Sequence, residues 1–161
     1  MHKNTIRPVE PADNLAVASV IRRVMTEFGA VGEGYSINDP EVDAIYQNYL
    51  GDRYAFFVLE KSGQVIGGGG IAPLLGGEAG TCELRKMYVL PEGRGQGWGK
   101  RLLEICLQAA HEKGFHTCYL ETVNRMQAAQ HLYRAFGFKP LDGPLGQTGH
   151  NSCDAWYALK L

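Results

Sequence analysis

The stretch Tyr88-Val89-Leu90-Pro91-Glu92-Gly93-Arg94-Gly95-Gln96-Gly97-Trp98-Gly99-Lys100-Arg101 gathers the residue types that hold anions. Strand formers precede it and a helical pattern follows, so it joins a strand to a helix. The first N–H groups of a helix have no partner within it and lie at the positive end of its dipole. A phosphate placed there is held by backbone donors. Gly93, Gly95, Gly97 and Gly99 let the chain approach with no Cβ in the way, and Arg94, Lys100 and Arg101 add charge. Two familiar phosphate loops are excluded by spacing. The P-loop pattern G-x-x-x-x-G-K-[ST], aligned on Gly99-Lys100, meets Arg94 at its first glycine and Arg101 at its Ser/Thr. The dinucleotide pattern G-x-G-x-x-G, begun at Gly93 or Gly95, meets Trp98 or Lys100 where the third glycine belongs. The spacing R-x-x-G-x-G does fit, as Arg94, Gly97 and Gly99.

Other constellations are sparse. His111-Glu112 with His116 has one residue too many for the zinc pattern H-E-x-x-H, and His150 with Cys153 is an isolated pair in a loop, so no metal is expected. Cys82 has no histidine beside it in sequence and reads as a buried thiol. Cys106, Cys118 and Cys153 are equally scattered, with no C-x-x-C pair, and are expected to be reduced.

The elements that position these residues follow from the hydrophobic pattern. Thr5–Val9 reads as a strand that Pro8 confines to an edge. Asp13 or Asn14 caps a helix carrying Leu15, Val17, Ala18, Ile21, Val24, Met25 and Phe28 inward. A second, short helix starts at Pro40, with Val42, Ile45, Tyr46 and Tyr49 inside. Tyr54–Leu59 and the strand resuming at Val65 form a hairpin about Ser62-Gly63-Gln64. Gly67–Gly70 then suggests a bulge, a close approach by another group, or a loose loop. A strand from Cys82 to Leu90 leads to the glycine-rich turn, followed by a helix stopped by Gly114. Thr117–Thr122 is the next strand and Gln127–Phe136 the last helix, closed by Gly137; Cys153–Leu161 alternates like a final strand. Strict alternation along the 82–90 strand would put Glu83, Arg85, Met87 and Val89 on one face. No repeat or linker interrupts the pattern, which reads as a single α/β domain over residues 1–161.

With Arg94, Gly97 and Gly99 in place, and with Leu132-Tyr133-Arg134-Ala135-Phe136-Gly137-Phe138 further on, the chain resembles the GNAT superfamily of acetyl-coenzyme A-dependent N-acetyltransferases. Its coenzyme loop reads [QR]-x-x-G-x-[GA], and its second signature reads L-Y-x-x-x-G-F. Both occur here in order. The resemblance implies a mixed, largely antiparallel sheet of six or seven strands flanked by about four helices. It also implies that strands 82–90 and 117–123 splay apart to form the coenzyme slot. Acetyl-coenzyme A is then the co-substrate, with its pyrophosphate on Arg94, Gly95, Gln96, Gly97, Trp98, Gly99 and Lys100. Its pantetheine arm would lie along the backbone of Met87-Tyr88-Val89. The asparagine often found seven residues before the tyrosine is Met126 here, and Asn124 stands nearby as a replacement or as a helix cap.

Transfer from a thioester to an amine requires a neutral amine and a proton for the departing thiolate. The resemblance implies Tyr133 as the acid: a phenol of pKa about 10 can donate to a thiolate whose thiol is near 8.5. It implies Glu83 as the base, acting through water, or else as a substrate anchor. The acceptor pocket, inferred from where acceptors sit in the family, would be lined by Glu33, Tyr35, Gly70, Arg85 and His150. A guanidinium at Arg85 could hold a carboxylate in a fork while Glu83 manages the amine proton, which points to a small free amino acid. Acidic residues in the first loop and second helix (Glu33, Asp39, Glu41, Asp43) would suit a polyamine, or form solvated surface. A protein or peptide amine and a non-catalytic coenzyme A-binding module are the remaining readings.

Bulk properties agree. The 161 residues carry a formal net charge of −1, with 45% apolar and 20% charged residues, so no global positive field exists to recruit nucleic acid. No apolar run approaches the roughly 20 residues of a membrane span, and the first residues lack a signal-peptide pattern. A cytoplasmic protein, acting on a small-molecule amine without membrane partners, is expected. The resemblance also allows a homodimer.

Overall fold

Seven strands form one sheet, in the order β1-β2-β3-β4-β5-β7-β6, in a computed structural model that describes residues 4–161. The strands are β1 (Asn4–Pro8), β2 (Ala55–Lys61), β3 (Gln64–Pro73), β4 (Thr81–Val89), β5 (Thr117–Thr122), β6 (Lys139–Leu141) and β7 (Ala155–Lys160). The helices are α1 (Asn14–Glu27), the single turn α2 (Ile45–Asn48), α3 (Trp98–Glu112) and α4 (Gln127–Ala135). Every strand pair is antiparallel except β4–β5, which is parallel. β1 lies at an edge, where Pro8 removes no donor the sheet needs. β6 was not legible: three residues that include a proline show no alternation.

Consecutive β3 side chains feed two cores. Ala72 packs with α1, and Ile71 packs with Leu103, Cys106 and Ala110 of α3, so the two helices cover opposite faces of the sheet. On α1 the buried stripe is Val17, Ala18, Val20, Ile21, Val24 and Met25. Leu15, expected inside, is 86% exposed. It stands above Ser19 and Arg22 on the solvent face, one position off the stripe. Asp13 does not cap α1 through its side chain. Its carboxylate instead takes the Arg7 guanidinium at 2.8 and 3.0 Å and the Glu10 N–H at 2.7 Å. The helix expected from Pro40 is divided into a 3-10 turn (Pro40–Asp43) and α2, because Ala44 leaves the helical region at φ −143°. Val42, Ile45 and Tyr49 are buried as the spacing predicts. Among the described residues no helix is long and apolar enough to cross a membrane.

The four glycines of β3 are required by their neighbours. A Cβ on Gly70 would lie 2.5 Å from the Ala55 carbonyl oxygen and 2.6 Å from the Phe56 ring, and one on Gly69 would lie 2.9 Å from Met87. The strand also changes register against β4 between Gly68 and Gly70. Gly70→Ala is therefore expected to lower the unfolding free energy by about 1–3 kcal/mol in urea titrations. Gly143→Ala, with nothing within 4 Å of the added methyl, should leave it unchanged.

Candidate active site

β4 carries the site, and a bulge sets which side chains it presents. Arg85 pairs with Gly70 and Tyr88 with Gly68, so Lys86 and Met87 together oppose the single residue Gly69. Lys86 absorbs the extra residue at φ +53°. The expected alternation is corrected accordingly. Glu83, Arg85 and Tyr88 oppose Ala72, Gly70 and Gly68 and share one face, while Met87 and Val89 fall out of step with them. On its other side the strand leaves its neighbour just before the bulge. β4 and β5 pair only from Thr81–Glu83 to Thr117–Tyr119, and the rest of the two strands diverge as expected. Between them lie Leu84, Lys86 and Tyr88 on one side and Thr122, Val123 and Met126 on the other.

The glycine-rich turn follows β4 directly. Gly95 (φ +73°) and Gly97 (φ +83°) take left-handed conformations that favour glycine, and a Cβ on either would meet nothing within 4 Å. The first hydrogen bond of α3 runs from Arg101 N–H to Gly97. No backbone N–H from Gly95 to Lys100 has a protein partner among the described residues. Six donors thus face open space at the positive end of α3, beside the exposed Lys100, and these groups suit the pyrophosphate of acetyl-coenzyme A. Arg94 does not join them. Its Nε donates to the Val89 carbonyl at 2.8 Å and its two Nη groups clamp Glu27 of α1 at 2.7 and 2.8 Å. It fixes the turn against α1 and occupies a carbonyl expected to meet pantetheine. Trp98 packs against the α1 core, and Gln96 is exposed. Asn124 is exposed at the far lip, its carbonyl accepting from the Gln127 and Gln130 side chains. Met126 is buried at the start of α4.

Tyr133 is buried on α4, among the core residues that pack on Leu84 and Leu103. Its ring packs on Phe138 (5.8 Å) and Tyr157 (6.2 Å). Its hydroxyl has no hydrogen-bond partner among the described residues, and burial raises its pKa above the ordinary phenol value. Tyr88, partly buried, is pushed up to about 12.

The other half of the site is ionic. Arg85 Nε donates to Glu83 Oε1 at 2.7 Å, and its Nη1 stands 3.8 Å from Glu41. The Lys86 side chain, 2% exposed, reaches Asp39 at 2.7 Å and Glu41 at 3.3 Å. His150 places Nε2 2.9 Å from Asp39 and Nδ1 3.2 Å from Glu121. Glu121 further accepts from the Tyr119 hydroxyl at 2.7 Å and the Thr148 hydroxyl at 2.5 Å. Burial raises the Glu83 pKa, an effect Arg85 partly offsets. Burial also acts to raise Glu121 and Asp39, but their hydrogen bonds outweigh it and both are lowered. At His150 burial disfavours the charge, yet the two carboxylates win and lift the imidazole to about 9.

Of the acceptor residues read from sequence, Tyr35, Glu83, Arg85 and His150 line the same cavity. His150 does so with both ring nitrogens committed to carboxylates. Gly70 is buried between β2 and β4, away from that cavity, and Glu33 is exposed with its carbonyl accepting from Ser152. Asp39 and Glu41 turn inward, not to solvent, whereas Asp43 pairs with Arg22 on the surface. Lys86, Glu121 and Thr148 were missed. Cys82, Cys106 and Cys118 are buried free thiols, and Cys153 is half-buried and free.

Comparison with known proteins adds the lineage. The sequence model of the acetyltransferase (GNAT) family matches residues 20–138. An N-acetyltransferase of Escherichia coli K12 named YjgM is 45% identical over 166 residues, covering 98% of this chain and 99% of that protein. An IAA acetyltransferase of Azospirillum brasilense is 38% identical over 134 residues, covering 68% of this chain and 86% of its own. Among solved structures, a GNAT acetyltransferase of Staphylococcus aureus Mu50 superposes with a TM-score of 0.84 at 22% identity, covering 98% of this chain and 99% of that one. The Salmonella typhimurium yncA structure with acetyl-CoA gives a TM-score of 0.77 at 22% identity, covering 98% and 94%.

The ion pairs make stability depend on pH. The folded pKa of His150, about 9, lies above the unfolded value near 6.5, so its contribution is complete below about pH 6.5 and is lost as pH rises through 9. The thermal midpoint should fall across that window. His150→Gln, which cannot carry the charge, should remove at least half of the fall in a pH series of melting curves.

Proposed function

Because the chain belongs to the GNAT family of acetyltransferases and is an acetyl-coenzyme A-dependent N-acetyltransferase, we propose that its acceptor is a small primary amine bearing a carboxylate, such as a free amino acid. The observation that carries this reading is the pairing of signs in one cavity: Glu83 and Arg85 lie side by side at 2.7 Å. An amine and a carboxylate on one carbon need that proximity. The Nη edge of Arg85 supports it, since it holds no carboxylate closely: the Pro73 carbonyl lies at 3.5 Å and Glu41 at 3.8 Å, with the Tyr49 hydroxyl nearby. An opening of about 370 Å³, lined by Asp39, Glu41, Tyr54, Leu75, Arg85 and Thr148, would admit the acceptor from solvent.

The coenzyme supplies an acetyl thioester in the splay between β4 and β5. The free N–H groups of the turn would hold its pyrophosphate and the diverging β4 backbone its arm. Glu83 takes the proton of the acceptor's ammonium, directly or through one water, and its raised pKa brings it nearer to that task. As the amine nitrogen bonds to the acetyl carbon and the carbon–sulfur bond breaks, Tyr133 gives its hydroxyl proton to the departing sulfur, and the second proton that the nitrogen sheds on becoming an amide restores the phenol. A cytoplasmic location, a single domain and a homodimer belong to the same proposal and rest on the sequence reading.

Two variants test it. Tyr133→Phe should lower kcat by about 10²-fold while acetyl-coenzyme A affinity by calorimetry stays near wild type, and wild-type turnover would reduce Tyr133 to a packing residue. Arg85→Ala should raise KM for amino acids at least about tenfold and for carboxylate-free amines far less; equal effects on both would sink the carboxylate assignment.

A further inference from the structure

The charges around the cavity alternate in sign almost completely. From Glu83 the chain of contacts runs to Arg85 (2.7 Å), Glu41 (3.8 Å), Lys86 (3.3 Å), Asp39 (2.7 Å), His150 (2.9 Å) and Glu121 (3.2 Å). Asp39 and Glu41 each lie between two cations. Among the described residues Glu83 has only Arg85 as a cationic partner, and Glu121 only His150. These two under-paired carboxylates are neighbours: Glu83, Glu121 and His150 offer atoms within 4.8 Å of one another. His150 cannot bridge them, because its ring nitrogens already face Asp39 and Glu121.

Two further observations mark the junction as a place for a ligand. The Glu83 and Glu121 side chains are 4% and 3% exposed; Glu121 accepts on both oxygens, whereas Glu83, among the described residues, accepts on Oε1 alone. Beside them lies a cavity of about 40 Å³, whose lining includes Glu83, Glu121, His150 and Tyr35. A water requires roughly 10–15 Å³ of such volume, so the space fits a head group and its first carbon. A carboxylate oxygen left without a partner at this depth, as on Glu83, is costly unless a cation joins it.

We propose that the Glu83–Glu121 junction is a seat for one ammonium group, and that Glu121 selects acceptors presenting a single protonated amine there. This rests on the N-acetyltransferase reading, in which the acceptor is an amine, and adds the residue that recognises it. An acceptor ammonium completes the alternation by lying between the two carboxylates. Glu121 stays ionised through the Thr148, Tyr119 and His150 bonds and holds the group, and Glu83 then takes the proton that must leave before attack. A second ammonium finds no under-paired carboxylate, because Asp39 and Glu41 are each already shared by two cations. Polyamines therefore gain nothing over monoamines.

The test does not need turnover. Protein carrying isotope-labelled histidine is titrated at pH 7 with n-butylammonium chloride while the His150 ring signals are followed. A saturable shift is expected in the wild type. Glu121→Gln should weaken binding at least about tenfold, spermidine should bind no tighter than n-butylammonium, and tetramethylammonium, which has no N–H, should not compete. No saturable shift in the wild type, or an unchanged affinity in folded Glu121→Gln, overturns the seat. Thiol release with acetyl-coenzyme A separates this from the broader reading. Binding of n-butylammonium with no thiol release for any amine leaves the seat and removes the transfer reading. Release with an amine KM unchanged in Glu121→Gln leaves transfer and removes the seat.

Discussion

One extra residue in β4 organises both halves of the site. With Lys86 and Met87 set against Gly69, the strand turns, and Lys86 enters a buried ionic cluster that regular alternation would have denied it. The same slip brings Tyr88 into line with Glu83 and Arg85, below the strand's divergence from β5. The bulge is possible because Gly69 has no side chain: a Cβ there would meet Met87 at 2.9 Å. The glycine run of β3 thus serves the active strand indirectly, by letting β4 bend over it.

The cluster on that strand holds together by pairing. Seven ionisable side chains share a small volume, and any one left alone would carry a desolvation cost of several kcal/mol. Shared contacts keep that cost down: Asp39 is divided between Lys86 and His150, and Glu41 between Lys86 and Arg85. The contacts also join distant parts of the chain. Asp39 precedes α2, Glu121 ends β5, and His150 lies in the loop before β7, so the imidazolium pins both loops to the sheet. The proposed acceptor cavity is therefore enclosed by charge more than by apolar packing.

How much of this the sequence discloses depends on how local each feature is. The turn from Gly93 to Gly99 is read correctly because its geometry is local: left-handed glycines and a helix start need no partner strand. The order of elements, β6 apart, is equally legible, since periodicity is a property of short windows. The Met87 and Val89 face was misread because a bulge is a relation between two strands. The Arg94 side chain, expected at the phosphate, is held by Glu27, 67 residues away, which nothing near it in sequence announces. Asp39 and Glu41 look like surface acids at a helix start, and only Lys86 and His150, which come from two later segments, draw them inward. Glu121 sits in an ordinary strand pattern, and its role depends on residues 29 positions ahead.

Burial acts on the two groups proposed for proton transfer in ways that bear on the order of events. Glu83 is raised and so becomes a better base, because the cavity disfavours its charge and Glu121 adds to the repulsion. Tyr133 is raised too, which makes it a weaker acid than an exposed phenol. Taken alone, that would hinder donation to a sulfur whose ordinary thiol pKa is near 8.5. A sulfur leaving into the same buried cleft, however, suffers the same desolvation, and its anion is disfavoured alongside the phenolate. What matters is the gap between the two groups, and a shared environment preserves it. Neither free anion is tolerated in the cleft, so the proton must move as the carbon–sulfur bond breaks. The unbonded hydroxyl of Tyr133 is suited to that timing, since it has no other partner to give up first.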